Sequence, residues 1–487
     1  MQLDRSEIGR IVEEVVRRVA GTTGDGALKS SPFGEKSLAP AVSANEESGI
    51  FATQERAIEA AERSYQELAR LTLEKRKEII EAMRDTARSH ARELAEMAVQ
   101  ETGLGRVEDK IRKNNLVADK TPGIEDLESV AHTGDRGLTL IEMAPYKLIG
   151  SITPSTNPAA TIINNSIGMI ASGNAVVFNP HPGAKKVSLR AIEILNQAIR
   201  KVGGPSHLLT SIAEPTIETS QATMRNPKIR LLVVTGGPGV VRAAMQSGKR
   251  TIAAGPGNPP SVVDETADIP KAARAIVDGS SFDNNIMCQC EKEVFAVDAV
   301  FDQLKKEMTA YSAYELSPSQ LEQLLKVITK EGSAGCPEAT MNRDFIGKDA
   351  RVLARAIGLD VPTSVRVLIS EVDRTHPLVM TEQMMPVLPL VRVGNVQEAM
   401  DLAVKAEKGN GHSASMHSRN VENLSNMAHR IDTAIFVKNA PIYSGLGYGG
   451  EGNTTMTIGC LTGEGITSAR HFTRTRRCVL VDYFRII

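Results

Sequence analysis

Tryptophan is absent from this sequence of 487 residues, and aromatic residues of all kinds make up only 3% of it. Aromatic platforms on which nucleic-acid bases could stack are therefore scarce. The formal net charge is −1, which offers no electrostatic attraction to nucleic acid or to an anionic membrane. No apolar run approaches the ~18 residues that a membrane-spanning helix needs. The composition thus favours neither a nucleic-acid partner nor a membrane partner.

Cysteine is also scarce, and its odd number and scattered positions argue against a disulfide framework. The five cysteines are Cys288, Cys290, Cys336, Cys460 and Cys478. Such a set suits a reducing compartment, so we expect a cytoplasmic protein. Cys288 and Cys290 form a C-x-C pair, but no second pair stands at zinc-finger spacing, and we predict no metal site.

Two common phosphate-binding fingerprints are missing as well. No G-x-G-x-x-G follows a predicted strand, and no G-x-x-x-x-G-K-[ST] is present. The segment G-G-P-G at residues 236–239 follows a predicted strand and opens a helix, which suits a backbone that approaches a ligand closely. By itself this segment is weak evidence, because many such turns only connect two elements.

The first 21 residues predict an amphipathic helix, because apolar residues recur at helical spacing between charged ones. The apolar face consists of Ile8, Ile11, Val12, Val15, Val16 and Val19. Residues 22–49 are rich in Gly, Ser, Pro and Ala and predict a flexible linker. A short helix on such a tether must either dock on the rest of the protein or bind another protein, and physical reasoning alone leaves both open.

The rest of the chain predicts an α/β protein in three parts. Residues 50–259 begin with helices, expected as two long ones with a break near Leu71, and continue with short apolar strands that alternate with helices. This alternation predicts a doubly wound parallel sheet, whose ligands bind at the carboxyl ends of the strands. Residues 260–442 predict a second α/β unit. Residues 443–487 are rich in glycine and end in a strand suited to extending a sheet, either within the subunit or across a subunit interface.

The segment S-F-D-N-N-I-M-C-Q-C-E-K-E, residues 281–293, organises the rest of the chain. A helix is predicted before it and a strand from Glu293 onward, which puts Cys288 in a loop where its side chain can face a cleft. A cysteine used only for packing usually sits inside an apolar run, whereas Cys288 follows a polar run. We therefore interpret Cys288 as a nucleophile, with an ordinary buried thiol as the alternative.

Five segments together resemble the aldehyde dehydrogenase superfamily, and more specifically its coenzyme-A-acylating branch. They are T-P-S-T-N-P at residues 153–158, V-V-F-N-P-H-P at 176–182, V-V-T-G-G at 233–237, F-D-N-N-x-x-C at 282–288 and E-Q-M-M-P-V at 382–387. The resemblance implies a Rossmann-type NAD-binding domain, an α/β catalytic domain and a small β element for oligomerisation. It also implies a homodimer or homotetramer.

The resemblance assigns the site residues as well. Cys288 is the catalytic nucleophile, and the oxyanion is bound by its backbone N–H together with Thr156 or Asn157, two candidates that the alignment leaves open. Glu382 holds the nicotinamide-side ribose. The residues implied at the cofactor site are Pro154, Ser155, Asn179, His181, Pro182, Gly236, Gly237, Gly255 and Glu382. The cofactor expected is NAD, with NADP left open because Asn179 and Pro182 replace the usual lysine and glutamate.

One departure from the superfamily pattern points to the second substrate. Hydrolytic members have E-L-G-G-K, whose glutamate activates water, but the matching residues 253–258 are A-A-G-P-G-N and contain no carboxylate. A coenzyme A thiolate attacks a thioester without such a base, so we expect acyl transfer to CoA. The alternatives are a hydrolytic aldehyde dehydrogenase, a phosphorylating semialdehyde dehydrogenase and a non-catalytic scaffold. Ile286 and Met287 suggest a small apolar acyl pocket and hence a short aldehyde.

The remaining cysteines and histidines receive minor roles. Cys290 is expected to be a bystander, and His412 and His417 to have structural or substrate-lining roles. The helix and linker at the start of the chain resemble the encapsulation peptides of bacterial microcompartment enzymes, such as propionaldehyde and acetaldehyde dehydrogenases. The resemblance implies that the helix binds a shell protein or another cargo enzyme, inside a microcompartment.

Overall fold

The structure is a computed structural model that describes residues 43–330 and 339–487. The predicted helix over residues 1–21, most of the predicted linker over residues 22–49, and Cys336 lie outside the described residues. Within the described ranges, no helix has the length and apolar character that crossing a bilayer requires.

Four helices occupy the region between residues 54 and 120. They are Gln54–Leu68, Leu73–Ser89, Ala91–Thr102 and Val107–Lys120. The predicted break is confirmed, and Thr72 caps the second helix by accepting a hydrogen bond from the backbone N–H of Lys75. A further break at His90, which the prediction missed, divides what was expected to be one helix.

The first eight strands form a six-stranded parallel sheet and part of a small antiparallel one. In chain order they are β1 (Ile50–Phe51), β2 (Val130–Gly134), β3 (Gly137–Pro145), β4 (Leu148–Thr153), β5 (Ala175–Pro180), β6 (Leu209–Ile212), β7 (Leu231–Thr235) and β8 (Arg250–Ala254). The parallel sheet has the order β1-β6-β5-β4-β7-β8. The chain leaves β4 toward β5 and later returns to β7 on the other side of β4. This reversal creates a crevice at the carboxyl ends of β4 and β7, where such sheets bind ligands.

Seven further strands form a second parallel sheet. They are β9 (Pro260–Val263), β10 (Glu293–Val297), β11 (Ala313–Glu315), β12 (Val367–Glu371), β13 (Val387–Val393), β14 (Ser413–His417) and β15 (Ile435–Lys438). The order is β11-β12-β13-β10-β9-β14-β15. Because β9 and β10 are parallel neighbours with Pro260 opposite Glu293, the segments that precede them approach the same edge of the sheet. One segment holds residues 255–259 and the other holds Cys288.

The end of the chain forms the last three strands, β16 (Ile458–Gly459), β17 (Gly465–Ile466) and β18 (Thr473–Val481). The terminal strand predicted from residue 478 is confirmed and begins earlier. β18 pairs antiparallel with β3, which gives a three-stranded sheet of order β18-β3-β2. The exposed side chains of Val479, Leu480 and Val481 leave an apolar strip on β18.

The remaining helices of the described chain alternate with the strands as predicted. They are Pro158–Ala171, Lys185–Lys201, Ile217–Arg225, Pro238–Met245, Ile269–Ser281, Asp298–Tyr311, Pro318–Ile328, Ala350–Arg355, Val396–Glu407 and Val421–Ile431. Every residue of β4, β5 and the helix Pro158–Ala171 is buried, which gives the first sheet a rigid centre. The predicted α/β class, with two parallel sheets and a small antiparallel one, is confirmed. The boundaries at residues 259 and 442 stay predictions.

Candidate active site

The polar run before Cys288 has a backbone conformation that few residue types adopt. Asp283, Asn284 and Asn285 have φ angles of 48°, 54° and 63°, so three successive residues are left-handed. Asp and Asn tolerate this conformation better than other residues with a side chain. The D-N-N sequence is therefore what allows the chain to turn sharply between the helix Ile269–Ser281 and Cys288.

Cys288 is the single point at which this segment reaches the surface. Every other residue from 281 to 297 is buried, whereas Cys288 is half-buried. The prediction that Cys288 lies in a loop between a helix and a strand is confirmed, because the helix ends at Ser281 and β10 begins at Glu293. The thiol is thus presented by a rigid, otherwise buried support.

The free thiol is protonated at neutral pH. Burial, helped by the nearby carboxylate of Glu382, raises the pKa of Cys288 to about 12 against the opposing charge of Lys292. Lys292 is fully buried, and its ammonium donates hydrogen bonds to the carbonyls of Asn285 (2.9 Å) and Met287 (3.2 Å). A bound ligand or a base must therefore assist formation of the thiolate.

The two oxyanion candidates follow β4. Thr156 and Asn157 are both half-buried, directly before the helix Pro158–Ala171. The amide nitrogen of Asn157 donates to the hydroxyl of Thr156 at 3.3 Å, and its amide oxygen accepts a hydrogen bond from the ammonium of Lys113.

The same lysine connects the end of β4 to the nucleophile segment. The ammonium of Lys113 also contacts the carboxylate of Asp283, five residues before Cys288. Lys110, one helical turn earlier, lies 3.0 Å from this carboxylate and 3.2 Å from the carbonyl oxygen of Thr156. Sequence reasoning missed both lysines. A signal was present, because Lys110 and Lys113 fall on the buried stripe of their helix, where apolar residues are expected.

Apart from Glu382, the residues predicted at the cofactor site lie at or after the carboxyl ends of strands of the first sheet, with varied exposure. Pro154 and Ser155 are half-buried after β4, and Gly237 is exposed after β7. A Cβ atom at Gly237 would meet no atom within 4 Å, whereas one at Gly236 would lie 2.7 Å from Val240. The crevice at β7 therefore has open backbone at the start of the helix Pro238–Met245, as a phosphate-bearing ligand requires.

Four of the predicted cofactor residues differ in how accessible they are to a ligand. Asn179 is buried, and its amide donates to Ser220 at 2.6 Å, so its side chain is already bonded within the protein. His181 and Pro182 are exposed after β5. Gly255 is buried and packs under Leu461, which would lie 2.7 Å from a Cβ atom there. Their contacts with a cofactor stay predictions.

Glu382 lies close to the nucleophile. Burial raises the pKa of its carboxyl group, while the charge of Lys292 and the nearby backbone N–H of Gly257 act in the opposite direction. The effect of Glu382 on the pKa of Cys288 shows that the two side chains share one site. The predicted contact of Glu382 with a ribose stays a prediction.

His412 belongs to the same site. Its ring packs on Gly257, where a Cβ atom would lie 3.0 Å from the ring carbon Cγ and 2.6 Å from the carbonyl oxygen of Cys288. Burial, together with the charge of Lys292, lowers the pKa of His412 to about 4, which favours the neutral imidazole. Its Nε2 atom has no hydrogen-bond partner among the described residues. A neutral imidazole beside the nucleophile can accept a proton.

Cys290 and His417 lie in the protein interior, whereas Cys460 lies near Cys288. Cys290 is buried with its sulfur 3.8 Å from the carbonyl oxygen of Phe282, as expected of a bystander. Cys460 is near enough to raise the pKa of Cys288, a proximity that sequence reasoning missed. His417 is buried at the end of β14. In the parts of the chain that the structure describes, no group of three His, Cys, Asp or Glu side chains could hold a metal ion.

This chain is similar in sequence and in structure to several known proteins. The model of the aldehyde dehydrogenase family matches residues 31–476. The chain is 56% identical over 443 residues to the acetylating acetaldehyde dehydrogenase EutE of Salmonella typhimurium, covering 91% of this chain and 94% of that protein. It is 48% identical, with a TM-score of 0.88, to a propionaldehyde dehydrogenase from the fucose utilisation microcompartment of Clostridium phytofermentans, covering 90% of this chain and 100% of that chain.

A third relative is informative about chemistry. The propionaldehyde dehydrogenase of Rhodopseudomonas palustris, solved with bound CoA and an acylated cysteine, is 46% identical with a TM-score of 0.87. The match covers 89% of this chain and 98% of that chain. The family match over most of the chain and the identities of these relatives show that this protein belongs to the aldehyde dehydrogenase family, in its CoA-acylating branch.

Proposed function

We propose that this protein oxidises a short-chain aldehyde, acetaldehyde or propanal, to its acyl-CoA through a thioester on Cys288. The observation that carries the proposal is the half-buried Cys288, whose carbonyl oxygen lies against Gly257 in residues 253–258, a segment that contains no carboxylate. A thioester in such a site lacks the water-activating base of the hydrolytic enzymes and awaits a stronger nucleophile. Relatives that acylate CoA from acetaldehyde and propanal support this assignment.

In the first half-reaction, the thiol of Cys288 gives up its proton to solvent, and the thiolate attacks the aldehyde carbonyl and leaves a negative charge on its oxygen. The donors proposed for this oxyanion are the backbone N–H of Cys288 and the side-chain amide of Asn157. We prefer Asn157 over Thr156 because its amide oxygen is already bonded to Lys113, so its NH2 group is the part left to donate. The hydroxyl of Thr156 accepts from that NH2 group.

The cofactor proposed is NAD, with residues of this chain placed to hold it. The open backbone at Gly237 and the start of the helix Pro238–Met245 fit a pyrophosphate, and Glu382 is proposed to hold the nicotinamide-side ribose. When bound, the nicotinamide accepts the hydride that oxidation of the aldehyde releases. The ratio of kcat/KM with NAD to that with NADP tests this choice.

In the second half-reaction, the thiol of CoA replaces Cys288 on the acyl group. The CoA thiol must lose a proton before it attacks. The proposed acceptor is the imidazole of His412, because its Nε2 atom has no hydrogen-bond partner among the described residues; its low pKa must rise when CoA binds for it to act as a base. The new C–S bond to CoA forms as the bond to Cys288 breaks. The products are acyl-CoA, the thiolate of Cys288 and the protonated imidazole of His412, whose proton then passes to the thiolate.

The proposed assembly has two parts. Residues 1–21 are proposed to bind a shell protein or another cargo enzyme within a bacterial microcompartment, which the origin of one relative supports. The apolar strip of β18 supports a homodimer or homotetramer. Light scattering with and without residues 473–487, and capture of shell protein by the full chain but not by a chain lacking residues 1–21, test these two proposals.

The test of the reaction is NADH formation from propanal and NAD, with and without CoA. We expect turnover that requires CoA and yields a thioester, and loss of all turnover in Cys288→Ala. Equal steady turnover without CoA would instead mean hydrolysis of the acyl-enzyme. No NADH under any condition would favour the non-catalytic scaffold.

A further inference from the structure

The structure assigns a positioning role to Lys113 in the proposed reaction: it orients the amide of Asn157 so that the NH2 group faces the reacting oxygen. This inference rests on the proposed function. It concerns a group that we call the buried lysine cluster, which consists of Lys110, Lys113, Asp283 and Asn157.

The contacts of the cluster converge on one carboxylate. The ammonium of Lys113 contacts the Oδ2 atom of Asp283 and the amide oxygen of Asn157. Lys110 lies 3.0 Å from the same Oδ2 atom. The side chains of Lys110 and Lys113 are 4% and 2% exposed, and that of Asp283 is fully buried. Water therefore has little access to compete for these hydrogen bonds.

Chemistry determines which way the amide of Asn157 faces. An ammonium group only donates hydrogen bonds, so the atom of Asn157 that contacts Lys113 must be its oxygen. The NH2 group then lies on the opposite side, where its hydrogen bond to Thr156 is 3.3 Å long. Without Lys113 the amide could rotate by half a turn and present its oxygen, an acceptor, to the developing negative charge.

The cluster also ties the oxyanion donor to the nucleophile. The second oxygen of Asp283 accepts a hydrogen bond of 2.7 Å from the backbone N–H of Arg106, and the N–H of Asp283 donates to Asp109 at 3.0 Å. Burial favours the neutral acid, but Lys110 and Lys113 prevail and hold the pKa of Asp283 below its usual value. Asp283 is thus an ionised anchor five residues before Cys288, and Lys113 joins it directly to Asn157.

Stability alone is a weak reason for such an arrangement. Two ammonium groups and a carboxylate lose their hydration on burial, and apolar side chains of the same volume often stabilise a protein as well or better. An orienting function accounts for the contact of Lys113 with Asn157. The competing explanation is that the cluster only attaches the helix Val107–Lys120 to the core.

The chain offers a matched pair of variants that separates these explanations. Lys113→Met removes the contact with Asn157, whereas Lys110→Met removes an equally buried charge from the same carboxylate and leaves that contact in place. We expect Lys113→Met to lower kcat for propanal by about 100-fold, because loss of one oxyanion donor costs about 10² to 10³. KM for propanal should change less than about 3-fold, since the donor acts after binding. Lys110→Met should lower kcat at least 10-fold less than Lys113→Met does.

A double-mutant cycle with Asn157→Ala provides the decisive readout. If Lys113 acts through Asn157, adding Lys113→Met to Asn157→Ala should lower kcat less than about 3-fold further. Alkylation of Cys288 by iodoacetamide, which forms no oxyanion, should proceed within about 3-fold of the wild-type rate in Lys113→Met. The inference is overturned if the kcat losses of Lys113→Met and Asn157→Ala multiply in the double variant. It is also overturned if Lys113→Met and Lys110→Met lower kcat equally.

Two controls keep the test conclusive. Should Lys113→Met fail to fold, Asn157→Asp serves instead: its carboxylate still accepts from Lys113 but cannot donate to an oxyanion, so kcat should fall about as far. Retention of wild-type kcat in Asn157→Asp would overturn the inference. NADH formation by the wild-type enzyme is measured in parallel. If the wild-type enzyme forms no NADH, the proposed function is refuted. If it forms NADH but the kcat losses of Lys113→Met and Asn157→Ala multiply in the double variant, only the role of Lys113 is refuted.

Discussion

Replacement of Gly257 by alanine tests whether the segment before β9 shapes the nucleophile site. Gly257 is buried, and its φ angle is compatible with alanine, so the backbone itself permits the change. The new Cβ atom would lie only 2.6 Å from the carbonyl oxygen of Cys288 and 3.0 Å from the ring of His412. A Cβ contact begins to be tolerated at 3.0 Å and is ordinary at 3.4 Å, so the two segments must separate by 0.4 to 0.8 Å.

The size of this displacement sets the expected effect. A misplacement of about 1 Å at reacting groups can lower a rate by about 100-fold, so we expect kcat/KM for propanal to fall between about 10-fold and 100-fold. Overpacking of this kind destabilises a protein by about 1–3 kcal/mol, which leaves the variant folded at 25 °C. The activity loss should therefore exceed what unfolding explains.

The assay is CoA-dependent NADH formation at 25 °C, with thermal unfolding followed by circular dichroism on the same samples. Gly134→Ala is the matched control, because a Cβ atom there would meet no atom within 4 Å and the residue lies on β2. A folded Gly257→Ala variant with kcat/KM within 2-fold of wild type would refute the argument that this segment bears on Cys288.

Three further predictions concern proton transfer. Because the pKa of Cys288 is raised to about 12, the thiolate fraction should rise with pH throughout the neutral range. Iodoacetamide should therefore alkylate the free enzyme about tenfold faster for each pH unit from 7 to 9. A plateau of the alkylation rate in that range would contradict the raised pKa. Glu382→Gln should speed alkylation at pH 8, because it removes a charge that raises this pKa. For the CoA step, the His412→Asn variant should still form NADH in the first turnover, but its steady-state rate should fall by about 100-fold. Stopped-flow absorbance separates these two phases. Loss of the first turnover would instead place His412 in the aldehyde step.

The local chemistry of the nucleophile could be predicted from sequence, because it depends on neighbours along the chain. Three residues that tolerate a left-handed backbone lie shortly before Cys288, and the apolar patterns on either side of them predict a helix and a strand. The alternation of strands and helices predicted the parallel sheets for the same reason. The break at His90 was missed because both flanking segments favour helix and no breaker residue separates them.

The partners of the site could not be predicted, because they come from distant parts of the chain. Lys113 reaches Asp283 across 170 positions, and nothing near either residue announces the contact. His412 was given a structural or substrate-lining role because its neighbours read as an ordinary strand, but the packing of β14 beside β9 places its ring on Gly257.

By itself the sequence determined the α/β class, the candidate nucleophile Cys288 and the absence of a carboxylate in residues 253–258, since each depends on residue type and local order. Only the tertiary structure placed the ring of His412 on Gly257 beside Cys288 and joined Lys113 to the same segment through Asp283, whereas Glu382 was already expected at the site from the family resemblance. The physical reason is that hydrogen bonds and buried charges act over a few ångströms in space, whatever the separation in sequence. Parallel sheets bring strand ends from distant segments to one edge, and that geometry determines the site.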